Sequence, residues 1–183
     1  MLVRPAALDD ASEMGRVFVD SFRAGHRGQM PEHLLMDRTY EKSTRNWARS
    51  LREIARGELP GVRIAVAVDD SGALLGVGMC GPPHPWEADA QARLAVATGE
   101  VWALYVAPEH QRLGAGRALV AHLADFLATQ GVRRLIIGVL VANTAARAFY
   151  ESLGGHFVGL RDHVDDDVVL EEAVYEWRDL AAL

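Results

Sequence analysis

The chain has 183 residues, of which 50% are hydrophobic and 24% are charged, and its net charge at pH 7 is −6. This length and composition predict one soluble domain with a sizeable core, and the negative charge argues against non-specific binding to nucleic acid. No apolar run approaches the roughly 20 residues of a membrane span, and the first residues are typical of a strand rather than a signal peptide. Because Cys80 is the only cysteine, no intrachain disulfide is possible, and a cytoplasmic location is the default expectation.

The first half of the chain predicts an opening strand, two helical segments and a β-hairpin. In chain order, the predicted elements are a strand over residues 3–7, a helix from about Ala11, a helical segment over residues 32–56, and hairpin arms over residues 62–68 and 74–80. Apolar residues at helical spacing indicate the helices, and alternating β-branched residues indicate the strands. The prolines in residues 81–85 end the hairpin, and residues 86–98 fit either a short helix or a loop.

The second half alternates strands and helices before a final hairpin. The predicted elements are a strand over residues 100–106, a helix from about Ala115 to Gln130, a strand over 134–141, a helix over 144–153, and hairpin arms over 157–160 and 168–177. Gly131 is predicted to end its helix in the left-handed conformation. The order of elements predicts an α/β sandwich with a mixed, mainly antiparallel central sheet of about seven strands, flanked by helices.

A glycine-rich turn between the strand at residues 100–106 and the following helix is the strongest motif in the chain. Its residues are Gln111, Arg112, Leu113, Gly114, Ala115 and Gly116. Such a turn presents unpaired backbone N–H groups and the positive end of a helix dipole, which together bind phosphate groups. Arg112 and Arg117 add positive charge beside it. The alternative interpretation is a strand–helix turn without a ligand.

Two other phosphate-binding motifs do not fit this turn. A P-loop needs Gly-Lys-Ser/Thr after a first glycine and four further residues, and no such run is present. A dinucleotide-binding fingerprint needs a third glycine three residues after the second one, and Leu119 stands at that position.

The pattern Gln/Arg-x-x-Gly-x-Gly at this turn resembles the acyl-CoA-binding motif of the GNAT superfamily of N-acetyltransferases. A second signature lies downstream, where Asn143 is followed seven residues later by Tyr150 and then by Leu-Gly at 153–154. Gly155 departs from the family, which often has an aromatic residue there. The resemblance implies the GNAT fold in a single acyl-CoA N-acyltransferase domain over residues 1–183, with acetyl-CoA as the co-substrate.

The resemblance also implies how acetyl-CoA is held. The strand residues Leu104, Tyr105 and Val106 are expected to pair with the pantetheine amides like an added strand, because in the family this strand splays away from the next one. The backbone N–H of Val106 is the expected oxyanion donor. The residues expected at the pyrophosphate are Gln111, Arg112, Leu113, Gly114, Ala115, Gly116 and Arg117. Asn143 either contacts the pantetheine or caps its helix.

Tyr150 is the candidate general acid for acetyl transfer to an amine. It lies nearly two helical turns after Asn143, so the two side chains share one face of the helix. A phenol with an ordinary pKa of about 10 is protonated at neutral pH and can donate its proton to the leaving thiolate. The alternative is an amphipathic core residue whose hydroxyl reaches the rim.

Glu100 is the candidate general base. It begins its strand fourteen residues before Gly114, near the offset at which glutamate bases often lie in this superfamily. Its ordinary pKa of about 4.3 is low for a base, so partial burial would have to raise it. The alternative is an exposed carboxylate at a strand end, and Glu87 and His110 are weaker candidate bases.

The amine acceptor is expected to be a small molecule or a protein amino group, and the sequence does not distinguish them. Residues 22–36 and 81–98 are the segments expected to build its pocket. The side chains that fit either this pocket or ordinary core and surface positions are Trp47, Trp86, Trp102, Asp37, Glu41 and residues 165–167. The overall negative charge does not exclude coenzyme A, because local arginines can oppose it.

The remaining expectations concern partners. The histidines are not paired at ligand spacing, so no metal site is expected, and Cys80 is expected to be a small buried strand residue. Neither nucleic acid nor membrane is an expected partner, whereas a homodimer with residues 168–177 at its interface is possible. The alternative function is a non-catalytic acyl-CoA-binding sensor or regulatory module. The presence of both Tyr150 and Glu100 favours the enzyme.

Overall fold

The computed structural model describes residues 1–84, 97–180 and 183. Its strands are β1 (Leu2–Pro5), β2 (Arg63–Val68), β3 (Leu74–Gly81), β4 (Thr98–Val106), β5 (Arg134–Leu140), β6 (His156–Asp165) and β7 (Val168–Trp177). Its helices are α1 (Ala11–His26), α2 (Glu32–Asp37), α3 (Tyr40–Ala55), α4 (Ala115–Thr129) and α5 (Thr144–Ser152). Short 3-10 turns occupy Leu8–Asp10 and Pro108–His110.

The strands form one seven-stranded sheet in the order β1-β2-β3-β4-β5-β7-β6. Only the β4–β5 pairing is parallel, so the prediction of a mixed, mainly antiparallel sheet flanked by helices is confirmed. β7 lies between β5 and β6, so residues 168–177 form an internal strand and not an edge of the sheet. The edge strands are β1 and β6, and β6 carries exposed apolar side chains at Phe157, Leu160 and Val164. The homodimer itself stays a prediction.

α4 and α5 lie on one face of the sheet, and α1 and α3 cover the other. Leu119, Leu123 and Leu127 of α4 are buried against strands β3 and β4. Glycines make this close approach possible, because a Cβ atom on Gly78 would lie 2.8 Å from Leu123 and one on Gly99 would lie 2.8 Å from Leu127. On the opposite face, α1 and α3 bury a second apolar cluster whose members include Met14, Val17, Trp47, Val66 and Val77.

The helical segment predicted over residues 32–56 is interrupted, and this part of the prediction is wrong. α2 ends at Asp37, and Thr39 has extended backbone angles of φ −97 and ψ 154. The Thr39 hydroxyl accepts a hydrogen bond from the backbone N–H of Lys42 at 3.2 Å, so this residue is the N-cap of α3. Arg38, directly before it, reaches across to Asp165 on β6. A local cap and a distant ion pair therefore break the helix.

Most other boundaries follow the predicted pattern closely, but the hairpin arm predicted over residues 157–160 is too short, because β6 pairs with β7 as far as Asp165. Gly131 has φ +78 and ends α4 as expected. β4 begins at Thr98, two residues before the predicted strand, and residues 86–96, predicted as either helix or loop, lie outside the described residues. Across the described ranges, every helix is too short or too polar to cross a membrane.

The pairing between β4 and β5 ends early. Thr98–Val101 pair with Arg134–Ile137, whereas the rest of β5 pairs only with β7 and the rest of β4 only with β3. The β3–β4 register shifts between Met79 and Cys80, which leaves Trp102 as an extra residue on β4. A gap therefore opens between two neighbouring strands of one sheet.

Candidate active site

The β4 side of this gap offers unpaired backbone groups. The Ala107 N–H donates to the Leu75 carbonyl at 2.9 Å, so the alternation of an antiparallel ladder turns the N–H groups of Leu104 and Val106 away from β3, toward the gap. The Val106 carbonyl also faces away from β3, because it accepts from the Ser21 hydroxyl at 2.8 Å. The backbone of Tyr105, by the same alternation, pairs with β3. Of the three strand residues expected to pair with a ligand, two therefore have free amides.

The glycine-rich turn continues from the end of β4 into α4. Arg112 and Gly114 both have left-handed backbone angles, with φ +67 and +90, and alternation of this kind makes backbone N–H groups converge into an anion-binding concavity. Gly114 is the N-cap of α4 and has no side chain to satisfy the first N–H groups of the helix. The turn is therefore a helix N-terminus whose donors remain open.

Side chains around the turn keep it open and positively charged. Arg112 and Arg117 form no ion pair with any residue that the structure describes, and Leu113 is 66% exposed. Gly116 packs closely, because a Cβ atom there would lie 3.2 Å from the Phe149 ring. The Gln111 side chain bends back and donates to the Val106 carbonyl at 3.4 Å. The structure thus brings the predicted turn and the free strand edge together.

Tyr150 lies on α5 and is buried in an aromatic cluster. Its ring centroid is 5.4 Å from that of Phe149 and 6.2 Å from those of Tyr175 and Trp177. Burial raises the pKa of the Tyr150 hydroxyl, and negative charge on Tyr105 and Glu172 would raise it further. The hydroxyl has no hydrogen-bond partner among the described residues. It is a protonated, unengaged donor, although the ring itself is a core residue.

Asn143 is the N-cap of α5. Its side-chain oxygen accepts a hydrogen bond from the Ala146 N–H at 3.1 Å, so the capping interpretation is confirmed. A contact between Asn143 and a ligand stays a prediction.

Glu100 is the centre of a buried charge network. Its side chain is 1% exposed, and its Oε1 accepts from the Arg161 guanidinium at 2.6 Å. The other oxygen, Oε2, accepts from the His84 backbone N–H at 2.7 Å and lies 3.2 Å from His84 Nδ1. Arg161 in turn donates to Glu172 at 2.7 Å. Gly138 of β5 leaves room for this pair, because a Cβ atom there would clash with both Arg161 and Glu172.

The network lowers the pKa of Glu100. Burial alone raises the pKa of this carboxyl, but hydrogen bonds from His84 and the positive charge of Arg161 more than offset burial. A general base at this position needed a raised pKa, and the net shift of the Glu100 pKa is in the opposite direction. Glu100 is ionised at neutral pH, and its oxygens already accept hydrogen bonds. It is not the exposed strand-end carboxylate of the alternative interpretation either.

The acidic residues expected to attract a cationic amine already have cationic partners. The pairs are Asp37 with Lys42, Glu41 with Arg45 and Asp165 with Arg38. A cleft of about 340 Å³ lies between α1 and α3. Its lining residues are Phe18, Arg38, Lys42, Ser43, Asn46, Trp47 and Ser50. The acceptor pocket at residues 22–36 and 81–98 stays a prediction.

The remaining candidate residues are placed as follows. Trp86 and Glu87 lie outside the described residues. Trp102 donates its indole N–H to the Pro82 carbonyl at 3.0 Å and lies beside the His84 ring. Cys80 is buried, and burial raises the pKa of its thiol to about 12, so the thiol stays protonated. Within residues 1–84, 97–180 and 183, no three His, Cys, Asp or Glu side chains form a metal site.

Sequence reasoning missed the partners of Glu100. His84 is 16 residues away and Arg161 is 61 residues away along the chain, so no local pattern links them to Glu100. The one available signal is positional. His84 is a polar residue directly after a buried strand, inside a proline-rich turn, and loops at strand ends often carry functional groups.

Comparison with known proteins gives a consistent result. A model described as "Acetyltransferase (GNAT) family" matches residues 28–155. YuaI of Bacillus subtilis, an uncharacterized N-acetyltransferase, is 30% identical over 182 residues, which cover 99% of this chain and 95% of that protein. The ribosomal protein bS18-alanine N-acetyltransferase of Escherichia coli is 53% identical over 49 residues, or 27% of this chain and 33% of that protein.

A solved structure shares the fold. The crystal structure of the PaiA N-acetyltransferase from Thermoplasma acidophilum, in complex with coenzyme A, superposes with a TM-score of 0.73. The match covers 97% of this chain and 98% of that chain at 16% sequence identity, so it shows likeness of fold alone.

The charge network leads to a stability prediction. Replacing Arg161 with Ala leaves two carboxylates, Glu100 and Glu172, buried without their cation, and we expect a loss of about 3–5 kcal/mol in the free energy of unfolding at pH 7. Because unpaired buried carboxylates have raised pKa values, this deficit should shrink as the pH falls toward about 4. Urea unfolding at several pH values measures it. The exposed Arg56→Ala is the control and should leave the midpoint unchanged, and an equally stable R161A protein would contradict the assignment.

Proposed function

Since the chain belongs to the acetyltransferase (GNAT) family, we propose that it transfers the acetyl group of acetyl-CoA directly to a primary amine within a ternary complex. One observation carries the proposal. The free N–H groups of Leu104 and Val106 lie on the same strand that leads into the open helix N-terminus at Gly114. An elongated ligand with amides at one end and a diphosphate at the other is complementary to that arrangement.

Holding acetyl-CoA is then mainly a backbone function. The first N–H groups of α4, with Arg112 and Arg117 beside them, bind the pyrophosphate. The pantetheine amides pair with Leu104 and Val106 along β4 like a short additional strand. The backbone of Tyr105 pairs with β3 and is not available to the pantetheine. Its ring packs on Phe18, with centroids 4.8 Å apart.

Acetyl transfer needs an attacking amine, a stabilised oxyanion and a protonated leaving group. The amine nitrogen attacks the thioester carbonyl carbon, and a backbone N–H of β4 that the pantetheine leaves unpaired donates to the oxygen as negative charge develops there. The Val106 N–H, expected as this donor, pairs with the pantetheine in this arrangement instead. The carbon–sulfur bond then breaks. Tyr150 donates its proton to the departing thiolate and regains a proton from solvent. Its free hydroxyl supports this role, because no protein hydrogen bond within the described chain has to be broken first.

In the proposed reaction, Glu100 takes part in removing the proton of the amine. It lies at the point where β4 and β5 separate, and its charge favours a cationic amine nearby. Its lowered pKa makes it a weak proton acceptor by itself. The acceptor class remains a primary amine of a small molecule or a protein. The bS18-alanine N-acetyltransferase that matches part of the chain illustrates the protein case.

The phosphate-binding role of the turn gives a paired prediction. Gly114→Glu should abolish acetyl-CoA binding, because it places a carboxylate where the pyrophosphate binds. The matched control is Gly72→Glu in the β2–β3 turn, where the glycine also has positive φ (+89 against +90) and open space around its Cβ position. Both variants carry the same backbone strain and charge change. If calorimetry gave equal acetyl-CoA affinity for the two variants, the turn would not be part of the binding site.

Tyr150→Phe tests the general acid. Turnover should fall by about 100-fold or more, while acetyl-CoA affinity changes little, because the hydroxyl acts on the leaving thiolate. Tyr175→Phe is the control, since it removes a hydroxyl from the same aromatic cluster and should retain most of the turnover. Steady-state rates and calorimetric binding distinguish the two effects. Undiminished turnover in Y150F would exclude Tyr150 from the mechanism.

The function as a whole is tested by an amine panel. Acetyl-CoA is mixed with polyamines, amino acids, aminoglycosides and peptides with free N-termini, and the release of free thiol is measured. We expect thiol release that depends on one amine class. Tight acetyl-CoA binding with no thiol release for any amine would favour a non-catalytic acyl-CoA-binding module.

A further inference from the structure

We propose that His84 accepts the proton of the amine, and that Glu100 is a positioning residue that holds His84 in place. This inference rests on the proposed function and deepens it. It shifts proton removal from the buried carboxylate to an imidazole that no sequence motif singles out.

One carboxylate oxygen fixes both the backbone and the ring of His84. Glu100 Oε2 accepts from the His84 N–H at 2.7 Å and lies 3.2 Å from Nδ1. The turn is held a second time by Trp102, whose indole N–H bonds to the Pro82 carbonyl and whose ring centroid is 5.1 Å from that of His84. Two residues of β4 thus fix the position of a side chain that follows β3.

His84 and Glu100 differ sharply in their exposure to solvent. The His84 side chain is 60% exposed, whereas that of Glu100 is 1% exposed. Glu100 is closed off from solvent beneath Arg161 and His84, so a substrate nitrogen meets the His84 ring before it can reach this carboxylate. With Nδ1 donating to Glu100, the lone pair of the neutral imidazole is on Nε2, and Nε2 has no partner among the described residues. His84 is therefore the accessible proton acceptor of the pair.

The pair lies where the reacting end of acetyl-CoA is expected. Glu100 pairs with Gly81, and the β4–β5 pairing ends one residue later, at Val101. From Val106 to Val101 the strand spans about 17 Å, a length that suits an extended pantetheine arm. An arm that starts at the turn before α4 and follows β4 ends beside Glu100 and His84. The amine must approach this same point.

The surrounding charges suit a base that works near neutral pH. The hydrogen bond with Glu100 raises the pKa of His84 above its usual value, burial lowers it, and the more distant Glu172 and Arg161 act in opposite directions. The buried network of Glu100, Glu172 and Arg161 carries one net negative charge (−1 −1 +1). That charge stabilises an imidazolium and attracts an ammonium substrate.

Acetyl transfer with His84 as the proton acceptor moves each proton as follows. The ammonium substrate transfers one proton to His84 Nε2, and the nitrogen lone pair that this frees forms the new bond to the thioester carbonyl carbon. The nitrogen of the tetrahedral intermediate then releases its second proton to solvent, which balances the proton that Tyr150 gives to the thiolate and regains from solvent. The carbon–sulfur bond breaks, and the thiolate takes its proton from Tyr150. His84 later releases its proton to solvent. The net reaction converts an ammonium and a thioester into an amide, a thiol and one proton.

The experiment compares pH–rate profiles of the wild type, His84→Gln and Glu100→Gln. The wild-type kcat/KM for the amine should rise with pH through an acidic limb above about 6.5, because His84 must be neutral to accept a proton. H84Q should lose about 100-fold or more and lack this limb, with acetyl-CoA affinity unchanged. E100Q should keep the limb at lower pH, because the group that raises the pKa of His84 is gone. The exposed His163→Gln should match the wild type.

Two further readouts distinguish catalysis from structure. Added imidazole should restore part of the rate to His84→Gly but not to E100Q, and an NMR titration should show a lower His84 pKa in E100Q. An H84Q protein that keeps the acidic limb, or an E100Q protein in which the His84 pKa is unchanged, would overturn the proposal. If the wild type itself acetylates no amine, the proposed function fails, and the role of His84 fails with it.

Discussion

The early end of the pairing between β4 and β5 is the constraint on which the rest of the site depends. If the parallel ladder continued beyond Val101, the amides of Leu104 and Val106 would bond to β5. The extra residue Trp102 changes the course of β4 at this point, and Gly138 lets a buried ion pair lie across β5. The gap exposes main-chain donors without exposing the core, because α4 closes one face and α1 with α3 close the other.

Burial gives the site its electrostatic character. Glu100, Glu172 and Arg161 interact away from bulk solvent, where each charge counts for more than it would at the surface. Removing Arg161 leaves two buried carboxylates without their cation, so the network that organises the chemistry also makes the protein sensitive to mutation at this position. The turn before α4 works differently. Its donors are backbone groups at an exposed helix end, so it needs glycine and positive φ rather than a particular side-chain network.

Local features were readable from the sequence, and contacts between distant segments were not. The turn at Gly114, the left-handed end at Gly131 and the cap at Asn143 are each set by neighbouring residues, and all three lie where predicted. The direction of the pKa shift of Glu100 was not predictable, because it depends on His84 and on Arg161, 61 residues away. The helix break at Thr39 combines both cases, since its capping hydroxyl is local whereas the ion pair of Arg38 with Asp165 is not.

The most direct test of the account is amide hydrogen exchange, measured by NMR with and without saturating coenzyme A. We expect the amides of Leu104, Val106 and residues 115–117 to exchange readily in the free protein and to become protected when the ligand binds. The amide of Tyr105, which already pairs with β3, should be protected in both states. If coenzyme A bound tightly without slowing exchange at Val106 and at residues 115–117, the strand gap and the helix end would not be its site.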